Sequence, residues 1–416
     1  MIQTISIREY DKLHIRPDRD LMRNIISESD AAYLQSVVID NSPVFAFGNR
    51  CLIAQQYVGV IELPDFSIEI LPKIYGEVDS EELRDVLIRM LLVAHQTSSI
   101  RQFKASVSTK KNSLSEIVIQ SFLRELQLYV DSGLQYEYSK ISRNIDKVKG
   151  QIIFSQQLKR NVLAPTRFFC RYSKYIVDNE LNRFFRTCLE EMAVITRDSH
   201  NQRMLEEILP FFDGVGSVEP EIALNYRIVF NSINIRAKDA YTYGRMFLEH
   251  IHATLNSGTT KVYTMLFNME QLYELFVYRV AAIVFGNKIT YQKMGSYMVE
   301  RVSDGKRFVR LRPDLTLKLS SDEQWIIDTK WKLPGRFAKE SDIYQMNAYS
   351  AGIKNVSKVI LIYPRVSKTD HLVGYYQLLS SVGDSRPLEI KMIDLMGCLS
   401  WSDFLKSFKE TICEEQ

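Results

Sequence analysis

Residues 308–331 read FVRLRPDLTLKLSSDEQWIIDTKW, and the rest of the chain is best read outward from them. The first half, 308–319, largely alternates apolar and polar side chains, the period of a half-buried strand. Ser320, Ser321 and Asp322 supply a turn, and 325–331 a second strand, so the pair reads as a hairpin. Pro313-Asp314 then lies on one strand and Asp328-Thr329-Lys330 on its neighbour. Asp328 and Lys330 are two apart and point to one face. Ile326 and Ile327 precede them, so the polar pair interrupts a run fit for a core. A buried charge is costly unless it is paired or binds a metal. Two carboxylates converging beside a lysine offer oxygen ligands to a hard divalent cation. Such a cation polarises a scissile phosphate and activates water, while the lysine orients that water and offsets developing charge. By spacing alone D-x-K is a weak signal. An exposed hairpin with an Asp–Lys pair across its strands explains it equally.

The flanks add to the pattern. A helix after the hairpin carries Gln345 and Tyr349, and one before it, over 267–284, carries Glu270 and Glu274 one turn apart on a shared face. Either could face a site, with a solvated helix charge as the alternative. Asp304-Gly305 reads as a turn, and Lys306, Arg307, Arg310 and Arg312 follow. These four cations are candidate contacts to a DNA backbone; a solvated hairpin end is the competing reading.

Composition bounds the whole. The chain has 416 residues, 46% apolar and 25% charged, which excludes a disordered tail, a collagen-like fibre and a coiled-coil rod. Lys and Arg number 53 against 50 Asp and Glu, so a nucleic-acid surface must be local. No apolar run is long enough to span a bilayer; the best, 272–285, carries Glu274 and Arg279. Arg8, Glu9, Asp11 and Lys12 interrupt the only apolar stretch near the start, which argues against a signal peptide and for a cytoplasmic chain. Cys51, Cys170, Cys188, Cys398 and Cys413 are scattered, and are expected to be reduced structural thiols.

Three regions are expected. Residues 1–105 are β-rich: 57–63 and 66–72 read as half-buried strands joined by a Pro64-Asp65 turn, and a helix starts near Asp79-Ser80. Residues 106–257 are mostly helical. One helix opens at Ser113 with Glu116 closing a capping box, another follows Asp178, and a third runs over 238–255. Within 101–174 stand 14 Lys/Arg and 5 Asp/Glu, with Phe103, Tyr136, Tyr138, Phe154, Phe168 and Phe169 interleaved. That stretch suits phosphate contact or solvation equally, as do the pairs Lys110-Lys111 and Lys159-Arg160. Asn182-Arg183 is expected to cap a helix or hold domains together. His250 and His252, two apart on the expected helix, do not share a face and do not read as a metal site. The turn cluster 256–260 marks a boundary, and 258–416 form an α/β domain with a mixed sheet flanked by helices, ending in a helix over 401–412.

The combination of Pro313-Asp314, Asp328-Thr329-Lys330 and the helix with Gln345-Met346-Asn347-Ala348-Tyr349 resembles the PD-(D/E)xK restriction-endonuclease-like superfamily. The resemblance narrows, over nearly the whole chain, to the McrC family of McrBC-type modification-dependent restriction systems. It rests on 58–63 with 68–74, on Lys149-Gly150-Gln151-Ile152-Ile153-Phe154 followed by Asp178-Asn179-Glu180-Leu181-Asn182-Arg183, and on 359–364. It implies a Mg²⁺-dependent DNA endonuclease subunit acting with a hexameric AAA+ GTPase of McrB type, whose GTPase it stimulates and which it contacts through its N-terminal half. It further implies Asp314 and Asp328 as metal ligands, Lys330 as the catalytic lysine, and Glu274, Gln345 and Tyr349 as site residues. The chain has no G-x-x-x-x-G-K-[ST] loop, which fits that division of labour. Two alternatives remain: a stand-alone repair or processing nuclease of the same superfamily, and a non-catalytic scaffold that activates a partner NTPase.

Overall fold

The computed structural model describes residues 3–74, 79–96, 113–164, 166–255, 261–293, 295–332, 334–366, 370–379 and 385–413. The chain folds into two compact units, Met1–Leu114 with Ile251–Gln416, and Ser115–His250. The first unit is therefore discontinuous in sequence.

Its N-terminal half is built on a five-stranded sheet in the order Gln3–Arg8, Phe66–Leu71, Tyr57–Glu62, Lys261–Asn268, Ile251–Leu255. The first two strands run parallel; the other neighbours are antiparallel. The segments expected to be half-buried are buried on both faces, save Glu62 at a strand end. The polar members of the alternation are absorbed rather than solvated. Glu69 is buried and takes a bidentate ion pair from Arg84 of the Ser80–Ala94 helix, at 2.6 and 2.5 Å. Gly59 has φ +133°, and a Cβ there would sit 2.1 Å from the Met265 carbonyl oxygen, so only glycine admits the Lys261–Asn268 strand at that distance. A four-stranded sheet, Ile25–Ile26, Lys12–Ile15, Cys51–Ala54, Phe45–Gly48, shares a core with it through Leu13, Leu34, Val44 and Leu52.

The C-terminal half carries a six-stranded mixed sheet ordered Ile289–Tyr291, Leu315–Lys318, Gln324–Thr329, Val356–Pro364, Arg386–Ile393, Gly374–Leu378. The three central strands are parallel and the outer ones antiparallel. Accordingly Val356–Pro364 reads as a continuous apolar run, buried from Lys358 onward. The helix Glu340–Gly352 lays Met346 and Tyr349 into the core with Ile326, Val359 and Leu361. Helices Met269–Phe285 and Trp401–Cys413 also pack against this sheet, and Phe276 meets Phe404 at 5.8 Å between ring centroids.

Several expectations are corrected. Residues 308–319 are two strands, not one: Arg307–Arg310 pairs with Tyr297–Glu300 in a separate ribbon, and Leu315–Lys318 enters the mixed sheet. Pro313, which has no N–H to give to a ladder, lies in the break, and Asp314 stands just before the second strand. Alternation is a local signal and runs through such a break. The 238–255 helix ends at His250, and Ile251–Leu255 is a strand antiparallel to Lys261–Asn268. The helix expected over 267–284 is Met269–Phe285, with Asn268 as its N-cap accepting from Glu270 N at 3.0 Å.

The Ser115–His250 unit joins helices to a three-stranded antiparallel sheet, Glu137–Ile145, Phe168–Ile176, Gln151–Ile152. Phe122, Phe184, Phe185 and Phe212 are fully buried in it. Glu116 serves a tertiary contact: its carboxylate accepts from Thr196 Oγ1 (2.6 Å), Arg197 N (2.6 Å) and Asn201 Nδ2 (2.7 Å). Asn182 is fully buried, donating to Gln135 O and Val177 O and accepting from Tyr129 Oη at 2.9 Å. Arg183 makes a bidentate pair with Asp178 at 2.6 and 2.7 Å. These contacts lie inside the unit. Lys159 and Arg160 close an exposed helix, Phe154–Arg160. The Lys110-Lys111 pair, Phe103 and the 256–260 turn lie outside the described residues. Among the described residues no helix is long and apolar enough to cross a membrane. The five cysteines are free thiols, four of them buried.

Candidate active site

Three neighbouring segments of the mixed sheet bring the acidic and basic residues together. Asp328 is the penultimate residue of Gln324–Thr329 and is fully buried. Lys330 follows that strand and continues its ladder, donating its backbone N–H to Ile362 O at 2.9 Å. Being two apart on extended backbone, the side chains meet: Lys330 Nζ lies 2.5 Å from Asp328 Oδ2. Beyond that ion pair, neither Asp328 oxygen has a hydrogen-bond partner.

Asp314 is held by the residue between them. Thr329 donates its backbone N–H (2.7 Å) and its hydroxyl (2.9 Å) to Asp314 Oδ2. Gln345, one turn before Tyr349 on the Glu340–Gly352 helix, accepts from Lys330 Nζ at 3.0 Å through Oε1. Its Nε2 donates to Tyr349 Oη at 2.8 Å, and Tyr349 Oη donates to Arg312 O at 2.9 Å. A hydrogen-bonded chain thus runs from the lysine through the helix to the backbone two residues before Asp314.

Glu274 reaches the site through a residue that no motif singled out. Gln292 donates Nε2 to Glu274 Oε1 (2.7 Å), accepts from the Arg312 guanidinium through Oε1, and donates its backbone N–H to Asp314 O at 2.7 Å. Glu270 is exposed on the same helix. Thr329 was legible inside D-T-K; Gln292 had no spacing signal.

The electrostatics follow from burial. Asp314, Asp328 and Glu274 all have raised pKa values, in each case first because burial disfavours the charged form. For Asp328 and for Glu274 the next cause is the negative charge of Asp314. Burial also opposes the charge of Lys330, but Asp328 and then Asp314 outweigh it and hold the ammonium above its ordinary pKa. The site is a cluster of carboxylates in excess of its cations.

Of the cations expected to meet DNA, Arg312 adjoins the site through Gln292, and the other three lie on the neighbouring ribbon. Lys306, Arg307, Arg310 and Arg312 are exposed. Arg307 pairs with Glu300 at 2.7 Å, Arg310 lies over the Tyr297 ring, and Lys306 over Phe308.

A further buried cluster adjoins the site and was not expected. Glu9 is 3% exposed, and its carboxylate accepts the Trp331 indole N–H at 3.0 and 3.1 Å and the Lys73 backbone N–H at 3.1 Å. Burial raises Glu9 to about 7 against the attraction of Lys73. Trp331 is the residue after Lys330, so the N-terminal sheet touches the strand that carries the lysine.

No curated protein matches the chain. Among solved structures, a chain of the Thermococcus gammatolerans assembly of McrB AAA+ hexamers with bound McrC is similar over 98% of this chain and 100% of its own, at 19% identity and a TM-score of 0.65. A chain of the McrBC complex of the same organism shows 21% identity and a TM-score of 0.49, over 67% of this chain and 87% of its own. The first likeness establishes the fold. The model of the McrBC 5-methylcytosine restriction system component matches residues 52–364, three quarters of the sequence, and by that match the chain belongs to this family.

Proposed function

We propose that the chain is the nuclease subunit of a modification-dependent restriction complex, a PD-(D/E)xK-type DNA endonuclease that uses Mg²⁺ and is activated by a McrB-type AAA+ GTPase. The observation that carries this reading is Asp328. Asp328 is fully buried beside a second carboxylate; Lys330 meets its Oδ2 and no group meets its Oδ1, so one ammonium stands against two carboxylates and a further cation would offset the excess charge. Two carboxylates with room for water suit Mg²⁺, which keeps several waters and takes one or two carboxylates plus substrate phosphate oxygens. Asp314 and Asp328 would hold the ion, and it supplies Lewis acidity at the scissile phosphate.

The chain's own groups do the rest. Lys330 stays protonated among carboxylates, fixed at one side by Asp328 and at another by Gln345, and would offset negative charge that develops on the phosphate. Thr329 holds Asp314 through one oxygen. Tyr349 and Gln292 lock the segment 312–314 from two directions, a preorganisation that keeps the acidic pair in place.

The test is plasmid cleavage with Mg²⁺, by the protein alone and with its AAA+ partner and GTP, on methylated and unmethylated DNA. Cleavage that needs partner, GTP and methylation, and that Asp328→Ala lowers by about 10²-fold or more, is expected. Chelation with EDTA should abolish it. Cutting by the protein alone without GTP would indicate a stand-alone nuclease. Stimulated GTP hydrolysis without any cutting would indicate a scaffold.

A further inference from the structure

The Tyr297–Glu300 and Arg307–Arg310 strands pair with each other and with no other described strand. Every residue of the ribbon is exposed except half-buried Phe308. Its apolar members are nonetheless numerous: Met298 is 52% exposed, Val299 50%, Val309 62%, and Val302 in the turn is fully exposed at 101%. A water-facing ribbon that served only as a connection would not need four such side chains.

Charge surrounds them. Residues 293–312 contain six cations, Lys293, Arg301, Lys306, Arg307, Arg310 and Arg312, against Glu300 and Asp304. Several cations are braced on rings of the ribbon itself, Arg310 over Tyr297 at 5.3 Å and Arg301 over Phe308 at 5.1 Å. The backbone adds an independent observation. Val309 has φ +54°, a left-handed conformation that a β-branched residue rarely adopts, and the ladder skips its pairing with Met298. Strain kept at an exposed residue, with no packing to reward it, points to a functional demand on where that side chain goes.

The root of the ribbon is rigid. Gly295 N donates to Leu311 O and Leu311 N to Ser296 O, at 2.8 and 2.9 Å, and Leu311 is buried in the core. Gln292 at one foot and Arg312 at the other are joined to each other, to Glu274 and, through Tyr349, to the helix that holds Lys330. Whatever the ribbon grips is therefore placed at a fixed distance from the acidic pair.

We propose that the 297–310 ribbon enters the major groove of duplex DNA, its cations on the two phosphate backbones and Val302, Val309 and Met298 against base edges, so that it sets which phosphate reaches the site. A two-stranded ribbon fits that groove, about 12 Å wide, and the apolar groups presented there are the 5-methyls of pyrimidines. The inference rests on the nuclease reading and extends it from charge attraction to groove insertion.

The test uses the full-length protein with its AAA+ partner and a 30-base-pair duplex, carrying Asp328→Ala so that binding is read without cleavage. Lys306→Gln with Arg307→Gln should lower the slope of log affinity against log salt by about 2, roughly one for each phosphate no longer neutralised. Val302→Ser should weaken binding about 3- to 10-fold with the slope unchanged, because it alters the apolar fit to base edges and leaves the phosphates as they were. The ribbon should protect guanine N7 from dimethyl sulfate where it lies in the groove, and Val302→Ser should weaken that protection in step with the affinity. Val309→Gly suits the left-handed backbone, so it should raise the melting temperature while weakening binding. Unchanged affinity in both valine variants would overturn the proposal, as would an unaltered methylation footprint. Since the Asp328-intact complex is assayed for cutting in parallel, failure of the nuclease reading appears as no cleavage, and failure of groove insertion as normal cleavage with normal binding by the variants.

Discussion

Replacing Glu9 by glutamine should change how the protein's stability responds to pH. Glu9 is buried at 3% exposure and its pKa rises from 4.5 to about 7, first because burial disfavours the carboxylate. The sign follows directly. Between pH 4.5 and 7 the unfolded chain has released this proton and the folded chain still holds it, so folding weakens as pH rises through that window. A rise of that size, at about 1.4 kcal/mol per tenfold change in proton affinity, makes the loss about 3 kcal/mol by pH 8. The groups facing Glu9 are Lys73, Glu270, Tyr10 and the Trp331 indole; Lys73 lowers its pKa, and Glu270 adds to the rise. Glutamine keeps an acceptor for Trp331 and Lys73 N–H and cannot ionise. The variant should match the wild type at pH 4 and exceed it by about 3 kcal/mol at pH 8, on the order of 6 °C in melting temperature for a unit of this size. Thermal denaturation at both pH values, at equal ionic strength, reads the difference. Parallel pH profiles for the two proteins would refute the reasoning, because the pH-dependent difference belongs to Glu9 alone.

Two further outcomes follow from buried pairs. Arg84→Met leaves Glu69 without its bidentate partner in a site where Glu69 is 1% exposed, and should cost about 3–5 kcal/mol, measured by urea unfolding. Gln345→Ala removes the acceptor that restrains Lys330 on its helix side while leaving the Asp328 pair; cleavage by the assembled complex should fall about 10-fold with Mg²⁺ affinity retained, checked by single-turnover kinetics and calorimetry.

What the sequence made legible was the chemistry more than the geometry. Asp328 and Lys330 were placed together by a spacing of two on a strand, because extended backbone turns such residues to one side. Gln345 and Tyr349 were readable as a pair one turn apart, and the structure bonds them directly. Glu69 misled the reading of its strand: a carboxylate at every other position looks solvated, yet Arg84, arriving from a helix, lets it be buried. The break at Pro313 was in plain view, but the alternation on either side concealed it. Gln292 and Glu9 could not have been found, since each acts through partners set by tertiary packing, Glu9 across 322 residues of sequence to Trp331.

The Tyr57–Glu62 strand borders Phe66–Leu71 on one side and Lys261–Asn268 on the other. Between its two neighbours the ribosome must make about 200 residues, which at 5–20 residues per second takes roughly 10–40 s. For that time an apolar edge, Tyr-Val-Gly-Val-Ile-Glu, stands with unpaired backbone groups, open to any other nascent strand. Gly59 makes the edge more receptive, since it is shaped to accept a strand at close range. The Ser115–His250 unit lies wholly within the wait. Expression of shortened chains that stop before residue 268 should therefore yield aggregates rather than a smaller folded protein.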